Sequence, residues 1–176
     1  LWDNHDPYLY QLLIEIRDDE GNLVELVPYR FGLRRIEINK DHVVLLNGQR
    51  LILNGVNRHE WDARRGRAIT MDDMTSDIHT FKENNINAVR TCHYPDQIPW
   101  YYLCDDNGIY MMAENNLESH ATWQKMGAIE PSYNVPGSVP QWRDVVVDRA
   151  RTNYETFKNH PSILFWSLGN ESYAGD

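Results

Sequence analysis

The sequence predicts an α/β chain: the first half of an eight-unit β/α barrel, preceded by the last strands of a β-sandwich. Three observations carry this. Residues 1–39 alternate apolar and polar positions around turn clusters, as half-buried antiparallel strands do. From Gly55 onward, short apolar runs alternate with amphipathic stretches, the pattern of parallel strands joined by crossover helices. Finally, the short runs end in polar clusters, and in a parallel barrel such ends converge on one face.

The elements follow in order. Tyr10, Leu12, Ile14 and Ile16 mark a strand, Asp18-Asp19-Glu20-Gly21-Asn22 a turn, and Leu23 to Val27 the returning strand of a hairpin. Phe31 to Ile38 reads as one further strand. Two or three strands cannot stand as a domain, so residues 1–39 read as the tail of a β-sandwich. A second hairpin joins Val43–Leu46 to Arg50–Leu53 through Asn47-Gly48, the pair that a type I′ turn requires. Val56-Asn57 is a short strand ending at Arg58-His59-Glu60. Thr70 caps a helix with Met71, Met74, Ile78 and Phe81 along one face. Ile86 to Arg90 is a strand, and the next helix has Pro99 in its first turn and Gly108 as its stop. Ile109 to Met112 is a strand, followed by a long Gly-, Pro- and Ser-rich loop to about Pro140. Trp142, Val146, Ala150 and Phe157 stripe the last helix. Asn159-His160-Pro161 breaks it before the strand Ile163 to Trp166.

Composition excludes several classes. The formal net charge of −9 over 176 residues argues against nucleic acid and against an anionic membrane surface. Apolar runs are too short for a transmembrane span. Cys92 and Cys104 make no disulfide framework, and a reduced, cytoplasmic setting is expected. The chain begins mid-pattern at Leu1-Trp2-Asp3, so the true N-terminus is expected to lie upstream. Six Trp and ten Tyr fill a core for the most part, and aromatic platforms also suit the apolar faces of sugars.

The chemistry-bearing residues sit where strands end. Glu171 follows the last strand at once and reads either as a general acid/base or as an ion pair with Arg58 or Arg90. Glu118 and His120 lie two apart and point the same way if extended. With Glu171 they could hold Mg²⁺, which prefers oxygen donors, or Mn²⁺, which tolerates the imidazole. The alternative is a metal-free hydrogen-bond network. His59 and His93 read either as sugar contacts or as structural imidazoles. Cys92 reads as packing rather than a nucleophile. His5, His42, His79 and His160 carry no signal.

Two long segments resemble glycoside hydrolase family 2. One is Asn87-Ala88-Val89-Arg90-Thr91-Cys92-His93-Tyr94-Pro95 continuing to Asp106-Asn107-Gly108. The other is Lys158-Asn159-His160-Pro161-Ser162-Ile163-Leu164-Phe165-Trp166-Ser167-Leu168-Gly169-Asn170-Glu171. Gly55-Val56-Asn57-Arg58-His59-Glu60 and Glu118-Ser119-His120 are similar to the family's β-galactosidases rather than its β-glucuronidases. The resemblance covers essentially the whole chain. It implies the end of an immunoglobulin-like domain over 1–39 and the N-terminal half of a TIM-barrel catalytic domain over 40–176. It implies that Glu171 is the acid/base and that Asn170 contacts the sugar 2-hydroxyl. Glu118, His120 and Glu171 would hold Mg²⁺, His59 and His93 would line the galactose site, and Na⁺ would belong to the full-length parent. Two positions depart from the family pattern: Ala113 precedes Glu114 where Asp is common, and Ala121 follows His120 where Gly is usual.

The resemblance also implies partners: a β-galactoside, the remainder of the barrel, a small subunit and an oligomer. A retaining glycosidase needs two carboxylates roughly 5 Å apart. The family's nucleophile comes from a later strand, beyond Asp176, so the chain alone is expected to be inactive. Two other readings remain at this level. One is a β-glucuronidase or β-mannosidase, the other a non-catalytic sugar-binding or assembly module.

Overall fold

Antiparallel pairing gives way to parallel pairing where the sequence period changes. The structure, a computed structural model, describes residues 1–119, 136–137 and 139–172. Strands β1 (Tyr10–Arg17) and β2 (Leu23–Phe31) form a two-stranded antiparallel ribbon. The Asp18 carboxylate closes its turn by accepting from the backbone N–H groups of Glu20 and Asn22, as short acidic side chains do in turns. Leu12, Leu13, Ile14 and Ile16 are all exposed, so both faces of the ribbon carry uncovered apolar side chains.

Strands β3 (Ile36–Ile38), β4 (Val44–Leu46) and β5 (Gln49–Arg50) form a separate three-stranded antiparallel sheet. Asn47 and Gly48 connect β4 to β5 with φ of 54° and 82°, both positive as a type I′ turn requires. The single strand expected over 31–38 is divided. Phe31 closes β2, while Ile36–Ile38 pairs with β4. The cause is a long-range packing contact. Leu33 gives its carbonyl to the Trp2 N–H at 2.7 Å, and a Cβ on Gly32 would lie 2.8 Å from the Pro161 ring. The expected second arm over 50–53 shortens likewise to Gln49–Arg50.

The remaining strands, β6 (Gly55–Arg58), β7 (Ala88–Thr91), β8 (Tyr110–Glu114) and β9 (Ile163–Ser167), pair in chain order and all in parallel. Helix α1 (Met71–Glu83) links β6 to β7, α2 (Ile98–Asn107) links β7 to β8, and α3 (Pro140–Phe157) precedes β9. Thr70 caps α1 in a reciprocal box with Asp73. Gly108 ends α2 in the left-handed region at φ 65°. Met74, Ile78 and Phe81 bury one face of α1, but Met71, at the first helical position, is 48% exposed. On α3 burial deepens toward the C-terminal end. Trp142 is exposed, Val146 and Ala150 are half-buried, and Phe157 stacks on Tyr101 at 3.7 Å.

The main core lies between sheet and helices. Val89, Met111, Ala113 and Ile163 meet Ile78, Phe81, Trp100, Tyr101 and Phe157 there. A second cluster gathers Trp2, Leu46, Ala88, Tyr110 and Leu164. Trp2 is fully buried and clasps three segments. Its N–H reaches Leu33, its indole N–H donates to the Asp105 carbonyl at 2.8 Å, and its carbonyl accepts from the Asn47 amide at 3.1 Å.

Candidate active site

Strand alternation decides which side of the sheet each polar residue meets. Val56 packs with the helix-side core, so Arg58 follows it there, while Asn57 and its parallel neighbour Arg90 face the other way. On that other face a cavity of about 260 Å³ is lined by Asn57, Arg90, Met112 and Phe165 among others.

Glu114 ends β8 as a fully buried carboxylate with four attachments. It accepts from Arg90 Nε at 2.5 Å, from the Ser167 hydroxyl at 2.7 Å, and pairs with His93 Nδ1 at 2.7 Å. Its backbone N–H donates to the Thr91 hydroxyl at 2.8 Å. A carboxylate facing His93 Nδ1 makes that nitrogen the N–H donor and leaves Nε2 as the acceptor. Burying a charge this deeply requires such partners.

Arg90 carries the chain of contacts onward. Its Nη2 donates to the Asn170 side-chain oxygen at 2.9 Å, and the Asn170 amide donates to Glu118 Oε1 at 3.0 Å. Glu118 and Asn170 also form a parallel bridge, with the Asn170 N–H on the Leu117 carbonyl at 2.8 Å. The segment after β8 therefore runs beside the segment after β9 and sets Glu118 next to the Asn170-Glu171 pair. Gly169 has φ 155° and no room for a Cβ, which would sit 2.5 Å from the Leu117 oxygen. Glu171 follows at φ 42° and is exposed. The sharp turn presents it at the mouth of β9.

The imidazoles of His59 and His93 meet edge to face at 5.2 Å. Tyr94 braces His59 through its hydroxyl at 3.4 Å, and the same hydroxyl accepts from the Glu60 N–H. His93 Nε2 lies 4.0 Å from Glu118 Oε1. The structure thus brings together His59, His93, Glu118, Asn170 and Glu171 at adjacent strand ends. His120 lies outside the described residues. Arg58 and Arg90, the ion-pair alternatives for Glu171, bind other carboxylates. Arg58 holds Asp96 at 2.8 Å and Asp77 at 2.9 Å, Arg90 holds Glu114. Cys92 is buried beneath the site, and burial pushes its thiol up from the usual range.

Sequence reasoning placed Glu114 and Arg90 only within clusters and missed that they join. The available signal was parity, since both occupy polar positions at strand ends that alternate with core residues on the helix side. Among the described residues, Glu118 and Glu171 offer the paired carboxylate oxygens that Mg²⁺ prefers, and the Glu118–Asn170 bridge puts them on neighbouring segments. That donor set fits the ion.

The model of the domain described as "Glycosyl hydrolases family 2, TIM barrel domain" matches residues 36–176. The chain belongs to glycosyl hydrolase family 2. A second family 2 model matches residues 1–34. Among its relatives is the β-galactosidase large subunit of Lactobacillus helveticus, 80% identical over 100% of this chain and 28% of that protein. The β-galactosidase large subunit of Leuconostoc lactis is 66% identical over the same shares. The chain thus spans under a third of the length of these relatives. Among solved structures it is similar to the β-glucuronidase of Ruminococcus gnavus in complex with D-glucaro 1,5-lactone. The TM-score is 0.80 at 28% identity, covering 96% of this chain and 27% of that one. The matched fold is α/β with a TIM-barrel domain. No described helix is long and apolar enough to cross a membrane.

Proposed function

We propose that this chain is the acid/base-bearing part of a retaining β-galactosidase that hydrolyses terminal β-D-galactosides such as lactose. The convergence of Glu118, Asn170 and Glu171 at the ends of β8 and β9 carries the reading. The names of the Lactobacillus and Leuconostoc relatives favour galactosides as substrates. In this reading β6 to β9 are the first half of the barrel, and residues 1–39 are the end of an immunoglobulin-like domain. The remaining strands of the parent cover the apolar face opposite the helices and supply the nucleophile. A small subunit, an oligomeric assembly and a cytoplasmic setting belong to the same reading. Both cysteines are free, which suits a reducing compartment.

Glu171 protonates the glycosidic oxygen as its bond to the anomeric carbon breaks, then takes a proton from the water that releases the sugar. Asn170 is held at both ends by Arg90 and Glu118, yet one amide proton and one lone pair remain for the 2-hydroxyl. His93, its Nδ1 tied to Glu114, offers Nε2 to a sugar hydroxyl, with His59 beside it. Glu118 and Glu171, with His120, would hold Mg²⁺. The bound ion supplies positive charge that orients the Glu171 carboxylate and tunes its proton affinity.

The deciding experiment compares Glu171→Gln with the parent enzyme on lactose and on an aryl galactoside with a good leaving group. Loss of general acid catalysis should lower turnover by about 10²–10⁴-fold on lactose and less on the aryl substrate. Equal losses on both would sink the acid/base role. The likeness to the β-glucuronidase of Ruminococcus gnavus motivates a second reading, a glucuronidase. Faster turnover of an aryl glucuronide than of the matched galactoside by the full-length parent would establish it.

A further inference from the structure

We propose that His59, Cys92 and His93 form a binding site for a soft divalent cation of the Zn²⁺ class, beside the carboxylate set at Glu118 and Glu171 but with different donors; Glu118 Oε1 lies 4.0 Å from His93 Nε2. Their ligand atoms all lie within 4.8 Å of one another. A tetrahedral Zn²⁺ with N at roughly 2.0 Å and S at roughly 2.3 Å needs donor separations of roughly 3.5 Å. Binding therefore needs the donors to draw together, and among the three it is His59 that is exposed.

The donor set decides the metal. Two imidazoles and a thiolate favour Zn²⁺, Co²⁺ or Cu²⁺ and disfavour Mg²⁺, which demands oxygen. The outer contacts are those of a metal site. Glu114 holds His93 Nδ1 at 2.7 Å, fixing the tautomer that leaves Nε2 as ligand. Tyr94 places its hydroxyl 3.4 Å from His59 Nδ1 and so braces that ring. The Cys92 thiol now donates to the Arg90 carbonyl at 3.4 Å. Burial keeps it protonated, so binding must displace that proton to solvent, as metal binding to thiols does. Two ligands, His59 and His93, are also the proposed galactose contacts. A bound cation would therefore block substrate, a consequence that rests on the function proposed above; the binding itself does not.

The test is a titration of the chain with Co²⁺ as a spectroscopic probe. The expected result is a thiolate-to-cobalt charge-transfer band with tetrahedral d–d absorption. The band should persist in Cys104→Ser, vanish in Cys92→Ser, and survive a large excess of Mg²⁺. His59→Ala should weaken Co²⁺ binding by about 10-fold or more, at least the loss that an outer partner gives. No band at saturating Co²⁺, a band that survives Cys92→Ser, or displacement by Mg²⁺ would overturn the site. If Cys92→Ser fails to fold by circular dichroism, His59→Ala decides, and unchanged Co²⁺ affinity overturns the proposal. Because the readout needs no substrate, a cobalt band with no galactoside turnover by the parent rejects only the proposed function, and turnover with no band rejects only this site.

Discussion

Arg58 and Arg90 sit on adjacent strands, one residue apart in register, and do different work. Arg58 turns toward the helices. Its guanidinium lies 3.8 Å over the Trp100 ring, binds Asp77 and Asp96, and approaches Glu60 at 3.6 Å. Its side chain is 5% exposed. Arg90 turns to the opposite face, is 25% exposed, and binds one carboxylate, Glu114, and two amides, Asn170 and, at 3.5 Å, Asn57. Arg58 ties β6 to α1 and to the segment before α2. Arg90 ties three strand ends at the candidate site. Strand parity separates a charge packed among the helices from a charge that reaches the candidate site.

Mutating each network should separate the two roles. Arg58→Met leaves Asp96 and Glu60 buried without their counter-charge, and losing one partner of a buried ion pair costs about 3–5 kcal/mol. Chemical denaturation should show that loss. A midpoint within error of the wild type would place Arg58 on the wrong side of the comparison. Glu114→Gln keeps the shape but removes the charge that positions Arg90 and His93. Misplacing site groups by such a change should lower turnover of the full-length parent on the order of 100-fold. The unfolding midpoint should move far less than for Arg58→Met. A variant that loses stability and keeps kcat would make Glu114 a second Arg58.

A finer test uses pH. Burial outweighs the pull of Arg58, itself shared with Asp77 and Glu60, and raises the Asp96 carboxyl to about 7 from 3.8. Between those values the folded chain keeps a proton that the unfolded chain has lost. Stability from this group therefore falls as pH rises from about 4 to 7, then levels off. Asp96→Asn should flatten that part of the stability profile. A wild-type profile that rises across the window, and is unchanged in the variant, would remove Asp96 as its cause. The smallest effect comes from Thr70→Ala, which uncaps the helix that carries Asp77. The capping box is worth about 1 kcal/mol, and thermal unfolding should report it. A loss beyond about 2 kcal/mol would mean that the Arg58 network is strained through α1.

Local chemistry made much of this legible before the fold was known. Asn47-Gly48, Thr70 and Gly108 announce a turn, a helix start and a helix stop, because each satisfies a backbone demand within a few residues. The parallel part of the fold follows from alternating periods. What stayed hidden depends on pairs far apart in sequence. The break at 32–35 needs Trp2 and Pro161 to arrive. Arg90 could be paired with Glu171 on charge alone. Only the register of β7 against β8 directs it to Glu114. His160 carried no signal, yet it binds the buried Asp105 at 2.6 Å across a separation of 55 residues. The candidate site residues could be picked out as a set, since His59, His93, Glu118, Asn170 and Glu171 all follow strands, while His120 lies outside the described residues. Their mutual hydrogen bonds were not, because two residues apart in sequence says little about which neighbour a loop meets.

The Trp2 clasp has a consequence in time. Its indole meets Asp105 across 103 residues, while Trp100 meets Phe81 between neighbouring helices. Contacts of long sequence separation form late, after the loops between them have closed. Trp100 should enter a rigid apolar environment while α1 and α2 dock. Trp2 should do so only when the N-terminal segment and the parallel sheet have both assembled. With single-tryptophan variants, the order in which the two indoles are buried during refolding would time the joining of the chain's antiparallel and parallel parts.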